Sequence, residues 1–406
     1  VSATFTYQVR DKQGKLVSGE LEADNSGAVA DRLRSMGYAP ISIEKKKESA
    51  LERELTIPGF GPKVKLKDLA IFSRQFATMI ASGLSLLRAL AILQEQTENP
   101  KLAEVLAEVA TDVESGRSLS ASMADHDDFP SLYIALVRAG EAAGMLDQVL
   151  LQVAANLEKD VALRAKIKSA MTYPVIVLIM AIGLTGVMLV FIVPTFAGLF
   201  ESLGGELPLP TQMLVSASNF IASIPGILTI VVAPIAGWQA FKAYRKTESG
   251  RFQLDVIKLK LPVFGELFRK IAITRFARNL GILLRAGVPI LQALEITAET
   301  VDNGVIGTAV RDVQESVRGG ESMHGPLSEH AVFPPMVVQM IAVGEETGAV
   351  DTMLDKIADF YDSEIEAMTE QLTALMEPVM IGVLGVIVGG MVISLYLPIF
   401  DIMNQI

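Results

Sequence analysis

The chain repeats itself in register, and that repetition constrains the fold more than any other feature. Adding 204 to a position in the first copy lands on its counterpart in the second, with no gap between the ends of the repeat. Phe72 and Arg74 map to Phe276 and Arg278, Gly83 to Gly287, Gly116 to Gly320, and Phe129-Pro130 to Phe333-Pro334. Gly140-Glu141 maps to Gly344-Glu345, Gly144 to Gly348, Asp147 to Asp351, Pro174 to Pro378 and Pro194 to Pro398. Glycine and proline set backbone geometry rather than polarity, so matched sets of them imply two copies of one structural unit. A period this long is not that of a solenoid, whose repeats run to about 20–50 residues.

Each copy ends in a segment long enough to cross a bilayer. No charged residue occurs between Lys168 and Glu201, between Glu206 and Lys242, or between Glu377 and Asp401. About 20 apolar residues make a spanning helix, which predicts spans over 172–196, 214–240 and 378–399. Arg164, Lys166 and Lys168 precede the first, and Lys242, Arg245, Lys246 and Arg251 follow the second. The positive-inside rule puts both basic ends in the cytoplasm and an external hairpin over 197–213. Glu364, Glu366, Glu370 and Glu377 lead into the third span, but the repeat gives it the direction of the first. The expected topology has a cytoplasmic N-terminus, an external C-terminal tail over 400–406, and parallel repeats. Pro225 and Pro234 are expected to kink the second span.

The chain is 50% hydrophobic yet 20% charged, as expected of a membrane protein with substantial aqueous domains. Its net charge of −11 argues against a nucleic-acid partner, which needs a basic footprint. It contains no cysteine, so disulfides and thiolate metal sites are excluded. The strand-like start at Val1 reads as a chain without a cleavable leader.

Residues 1–47 read as a small ββαβ unit, with Phe5, Tyr7 and Val9 inward, a turn over 11–15, a helix capped by Ser26 and ending at Gly37, and a strand through Ile41 and Ile43. A linker over 48–67 follows, and the Lys45–Lys47 run before it is either a solvated hinge or a contact for headgroups or a partner. From Asp68 the period becomes helical, and six helices with short turns over 68–171 predict an up-down bundle. Its marks include a stop at Ser82-Gly83, the Asn99-Pro100 cap, and starts at Ser118 and Pro130. After a cytoplasmic connector over 241–271 the plan recurs over 272–377. The fold class is thus a mainly α membrane protein with two homologous cytoplasmic six-helix bundles, three transmembrane helices and a small N-terminal α+β unit. The final helix of the second bundle is the more acidic, so the two bundles are expected to offer different surfaces to different partners.

The segments FSRQFATMIASGLSLLRAL, SGRSLS, FPSLYIALVRAGEAAGMLD, KIKSAMTYPVIVL and ELPLPT, echoed in FARNLGILLRAGVPILQAL, FPPMVVQMIAVGEETGAVD and MEPVMIGVLG, resemble the PilC/GspF platform proteins of type IV pilus and type II secretion machines. The resemblance covers essentially the whole chain and leans to the pilus branch through FSRQFATMIASG and LVRAGEAAG. It implies a scaffold in the bacterial inner membrane that binds a hexameric cytoplasmic ATPase, pilin transmembrane helices and other inner-membrane assembly subunits, and that acts as a homo-oligomer.

Individual residues have two readings each. Glu141 and Glu345, followed by Asp147 and Asp351, are either ATPase contacts or a weak hard-metal site, or else caps and dipole partners of helices. Arg74 and Arg278 are either phosphate clamps or arginines that snorkel or pair within their bundles. His126 and His330 read as loop histidines. Gly385 and Gly389 form a GxxxG face for subunit or pilin packing, against glycines simply facing lipid. Glu377 beside Pro378, at the place where the first copy has Tyr173 beside Pro174, could cap the helix or bond a partner. There is no GxxxxGK[ST], HExxH or GxSxG, so no enzyme and no cofactor is expected. A transporter is the rival class, but no span carries an ionisable group near its middle.

Overall fold

The computed structural model describes residues 3–10, 16–23, 26–35, 37–45, 63–202 and 207–405. It divides into two units, Val1–Pro62 and Lys63–Ile406. In the first, β1 (Ala3–Arg10) pairs antiparallel with both β2 (Leu16–Ala23) and β3 (Ala39–Lys45), giving the order β2-β1-β3. Helix α1 (Ser26–Ser35) buries Val29 and Leu33 against Tyr7, Leu21 and Tyr38. Ser26 is the first residue of this helix rather than its cap, and the helix stops at Ser35, ahead of Gly37 at φ 83°. The expected turn over 11–15 and the linker over 48–62 lie outside the described residues.

In the second unit the first bundle comprises α2 (Leu66–Ala81), α3 (Leu86–Gln96), α4 (Pro100–Glu114), α5 (Leu119–Ala124), α6 (Ser131–Ala143) and α7 (Leu146–Val187). Helix α2 starts two residues before Asp68, because the Asp68 carboxylate accepts the Lys65 N–H and stabilises the earlier start. Asn99 caps α4 by accepting from the N–H groups of Lys101 and Leu102, with Pro100 first in the helix.

Helix α7 runs unbroken through the expected boundary at 171–172, with Pro174 inside it and buried. A wide π turn follows at Met188–Ile192 and leads into α8 (Val193–Ser202). Pro194 has no N–H to return to the preceding turn, and the Leu189 carbonyl accepts instead from Ser218 Oγ at 2.5 Å.

The expected hairpin over 197–213 is largely helical, since α8 extends to Ser202 and α9 (Leu209–Ala222) begins at Leu209. The expected span over 214–240 breaks at Ser223, between α9 and α10 (Ile224–Lys246). Pro225 does not kink this span but stands in the first turn of α10, where its missing N–H costs nothing, and Ser223 Oγ accepts the Gly226 N–H. Pro234 lies within α10.

Helix α11 (Glu248–Lys260) leads to a turn at Pro262 and Val263, the latter at φ 66°. The second bundle follows as α12 (Phe264–Arg285), α13 (Ile290–Thr300), α14 (Gly304–Arg318), α15 (His324–Glu329), α16 (Pro335–Thr347) and α17 (Val350–Gln405). It begins at Phe264 rather than 272, because the added turns of α12 bury Leu267 against Ile365 and Leu372 of α17. Helix α17 continues without a break across the expected boundaries at 377 and 400.

The matched residues now have physical roles. Gly83 and Gly287 have φ of 85° and 78°, Gly116 and Gly320 96° and 91°, and Gly144 and Gly348 69° and 68°. A side chain is strained in that region, which explains why glycine recurs at each helix end. The cores match as well: Phe72 meets Phe129 with ring centres 6.3 Å apart, and Phe276 meets Phe333 at 5.1 Å. One difference lies in the first core, where Ser73 Oγ donates to the buried Tyr133 hydroxyl at 3.3 Å and burial pushes that phenol's pKa up. Ala277 and Val337 stand at those places in the second. Exchanging both partners of a buried hydrogen bond for apolar groups is close to neutral.

The protein is mainly α, with two repeated six-helix bundles and a small α+β unit. Among the described residues three helices, those starting at Leu146, Ile224 and Val350, are long and apolar enough to cross a membrane.

Candidate functional site

The two repeat-matched arginines are paired inside their own bundles. Arg74 donates from Nε and Nη2 to Glu158 at 2.6 and 2.5 Å, tying α2 to α7. Those bonds hold the Glu158 carboxyl below its ordinary range and the guanidinium above its own. Arg278 donates to Asp362, the counterpart of Glu158, tying α12 to α17. The first pair is about 40% exposed, whereas the Arg278 side chain is only 7% exposed. The Arg278 guanidinium is buried beside Asp362, whereas that of Arg74 stays part-exposed while bonded to Glu158.

Glu141 and Glu345 act as caps, for helices other than their own. Glu141 accepts the N–H of Leu119 at 2.6 Å and of Ser120 at 3.1 Å, at the start of α5. Glu345 accepts the N–H groups of Met323 and His324, with His324 Nδ1 at 2.5 Å from the same carboxylate. A carboxylate turned toward backbone donors is arranged for a helix start, not for a cation. Both residues are partly buried, with their carboxylates turned to those donors. Asp147 and Asp351 stand in the first turns of α7 and α17, where negative charge complements the helix dipole. His126 Nε2 lies 3.8 Å from Glu108, and His330 Nε2 lies 3.4 Å from Asp312, another matched pair. Among the described residues no three acidic or histidine side chains converge as a metal cage would need.

The residues that join the two bundles escaped the sequence reading. Helices α7 and α17 lie side by side, and the basic face of one meets the acidic face of the other. Lys159 reaches Asp359 at 3.2 Å, and Lys166 pairs with Glu366. Arg275, 15% exposed, bridges Asp160 of α7 at 3.3 Å and Asp302 at 2.9 Å. The acidity of the second bundle's last helix is therefore used at least in part within the molecule. The available signal was the opposed charge of 159–168 and 359–370; nothing local showed that the two runs meet. Beside the seam, an open cleft of about 380 Å³ is walled by alanines of α6 and the turn Ala286–Pro289.

On the apolar helices, most large side chains face outward, including Ile179, Met180, Ile182, Phe191 and Val386. A cleft of about 480 Å³ runs among α7, α10 and α17, lined by Ala181, Gly186, Ile230, Val383 and Leu384 among others. Gly385 and Gly389 are open on their outer side, since a Cβ added at either meets nothing within 4 Å. Pro174 is buried, whereas Glu377 and Pro378 are exposed. The molecule presents a pair of bundles joined by ion pairs and continuous with long apolar helices.

Comparison with known proteins names this architecture. Residues 72–194 and again 276–398 match the family described as type II secretion system (T2SS) protein F, and residues 2–44 match that protein's N-terminal domain. The two central matches are offset by the same 204 residues as the repeat. A type IV pilus assembly protein PilC of Thermus thermophilus is 46% identical over 99% of this chain and 98% of its own. The PilC of Myxococcus xanthus is 44% identical over 100% and 96%. A type II secretion system protein F of Vibrio cholerae is 31% identical over 99% of both. The repeat, the paired bundles and these matches together place the chain in the type II secretion system protein F family, whose members serve pilus assembly and secretion machinery.

Proposed function

We propose that the chain is the inner-membrane platform of a type IV pilus machine, coupling a cytoplasmic hexameric ATPase to insertion or extraction of pilins at the base of the fibre. The observation that carries this reading is the seam. Two bundles held as one block by Lys159–Asp359, Lys166–Glu366 and Arg275 would move together when a motor acts on them. Helices α7 and α17 leave that block as continuous rods into apolar segments and would pass the movement on to pilins in the bilayer. In this arrangement the N-terminus and both bundles are cytoplasmic, the C-terminus is external, and the chain assembles as a homo-oligomer, for which the open Gly385–Gly389 face is a packing candidate.

The pilus branch is favoured over secretion by identity, 46% and 44% to two PilC proteins against 31% and 34% to two secretion F proteins. The test is the hydrolysis rate of the purified assembly ATPase with and without the full chain in nanodiscs, together with co-purification. Stimulated hydrolysis and a stable complex are expected. Failure to bind any pilus or secretion ATPase of the same cell overturns the reading, and binding only the secretion ATPase moves it to the other branch.

A further inference from the structure

The corner between α10 and α11 has a chemistry that pilus assembly does not call on. Trp238, Lys242 and Arg245 are spaced i, i+4 and i+7 on α10 and so share one face, with Trp238 71% exposed. An aromatic ring one turn before a pair of cations, at the end of an apolar helix, marks the depth of the lipid headgroups. Among the described residues Lys242, Arg245, Lys246 and Lys260 form no ion pair, although the chain as a whole carries −11.

Two acids close to them are already engaged. Asp255 is buried, with Oδ1 2.6 Å from Lys258 and Oδ2 accepting the Gly304 N–H at 2.9 Å. Asp302 is held by Arg275 and, at 3.6 Å, by Arg251. Arg245 lines a polar cavity of about 180 Å³ together with Arg251, Lys258 and the two engaged acids Asp255 and Asp302. Next to it α11 and its following turn expose Phe252, Ile257, Leu261 and Val263. Exposed apolar side chains interleaved with cations, directly after a membrane-length helix, suit a helix lying in the interface plane.

We propose that this corner binds the phosphate-bearing headgroup of an anionic phospholipid. Arg245 and Lys242 take the phosphate, Trp238 lies against the glycerol and upper acyl region, and the apolar side chains of α11 sink into the boundary beside it. The occupant is a lipid rather than a soluble phosphoester, because the cations continue the face of an apolar helix and the flanking side chains need hydrocarbon.

Trp238 is the only tryptophan in the chain, so the protein carries its own reporter. The full chain is placed in nanodiscs, and quenching of Trp238 fluorescence is titrated with brominated phosphatidylglycerol and with brominated phosphatidylcholine at equal mole fractions. A juxtamembrane cation favours anionic lipid by about fivefold, so a preference of at least about fivefold for phosphatidylglycerol is expected. In K242Q/R245Q the preference should fall close to one, and in K101Q, on α4 in the first bundle, it should stay at the wild-type value. Both changed side chains are exposed, so the double variant should fold. Equal quenching by the two lipids in the wild-type protein overturns the proposal, as does a preference retained in K242Q/R245Q. Loss of the preference on adding soluble glycerol phosphate also overturns it, since the site would then be one for free phosphoesters. None of these readouts depends on an ATPase, so they stand apart from the test of the platform reading.

Discussion

Arg74 and Arg278 occupy the same place in the two repeats but differ in burial, and this permits a matched experiment. The Arg74–Glu158 side chains are 39% and 44% exposed, and those of Arg278–Asp362 are 7% and 33% exposed. Exchange of each arginine for methionine keeps the apolar stem in place and removes the charge. For the exposed pair the expected loss is about 0.2–1 kcal/mol, the range of solvent-screened ion pairs. For the buried pair, removing one partner leaves a carboxylate short of its counter-charge, which costs about 3–5 kcal/mol when that group is fully enclosed. Asp362 retains a third of its exposure, so water recovers part of this and about 2–3 kcal/mol is expected.

With an unfolding entropy of about 2.1 cal/mol/K per residue over the unit Lys63–Ile406, each kcal/mol shifts Tm by about 1.4 °C, so Arg74→Met should lower Tm by no more than about 1.5 °C and Arg278→Met by roughly 3–4 °C. The assay is thermal unfolding of the full chain in detergent micelles, followed by circular dichroism, at low and at near-molar salt. Added salt should erase the Arg74 effect and leave most of the Arg278 effect. Equal shifts for the two variants, or a larger one at Arg74, would refute the argument that burial sets the difference.

Two further outcomes follow from the geometry. A Cβ at Gly344 would lie 2.9 Å from the Val350 backbone and 3.2 Å from Met353 Cγ, so Gly344→Ala should cost about 1–3 kcal/mol by forcing α16 from α17, whereas Gly382→Ala, with nothing within 4 Å, should cost no packing; thermal unfolding compares them. The hydrogen bonds from Arg74 lower the Glu158 pKa, so its contribution is whole above the ordinary value of 4.5 and is lost as pH falls through the depressed folded value; Glu158→Gln should flatten that acid limb of the Tm–pH curve, and an unchanged limb would show that other carboxylates set it.

Glycine and proline made the repeat legible, because the chain uses them where no other residue fits the backbone. Gly83, Gly116 and Gly144 each take positive φ, and so do their partners, so chemistry readable in one dimension matched geometry in three. The break at Ser223 was harder to see. A hydrophobic run carries no mark of its own interruption, and Pro225 reads equally well as a kink or as a first turn until the Ser223 cap is observed. Glu141 shows the other limit: the donors it satisfies lie 21 and 22 residues away, on a helix whose own sequence does not announce a missing cap. The seam was hidden for the same reason at greater range, since Lys159 and Asp359 are 200 residues apart and become neighbours only once two copies of one bundle are set together.

Helix α17 is a single piece of 56 residues. At 1.5 Å per residue it measures about 84 Å from end to end, several times the width of the bundle it leaves. A lever of that length turns angle into travel: tilting its bundle end by about 5° carries the far tip about 7 Å. In the first copy the corresponding helix passes through the π turn Met188–Ile192, where the Leu189 carbonyl accepts from Ser218 Oγ. Duplication has thus left two helices of different geometry rooted in one block, so under the proposed platform reading a single push at the base would arrive as two unequal strokes.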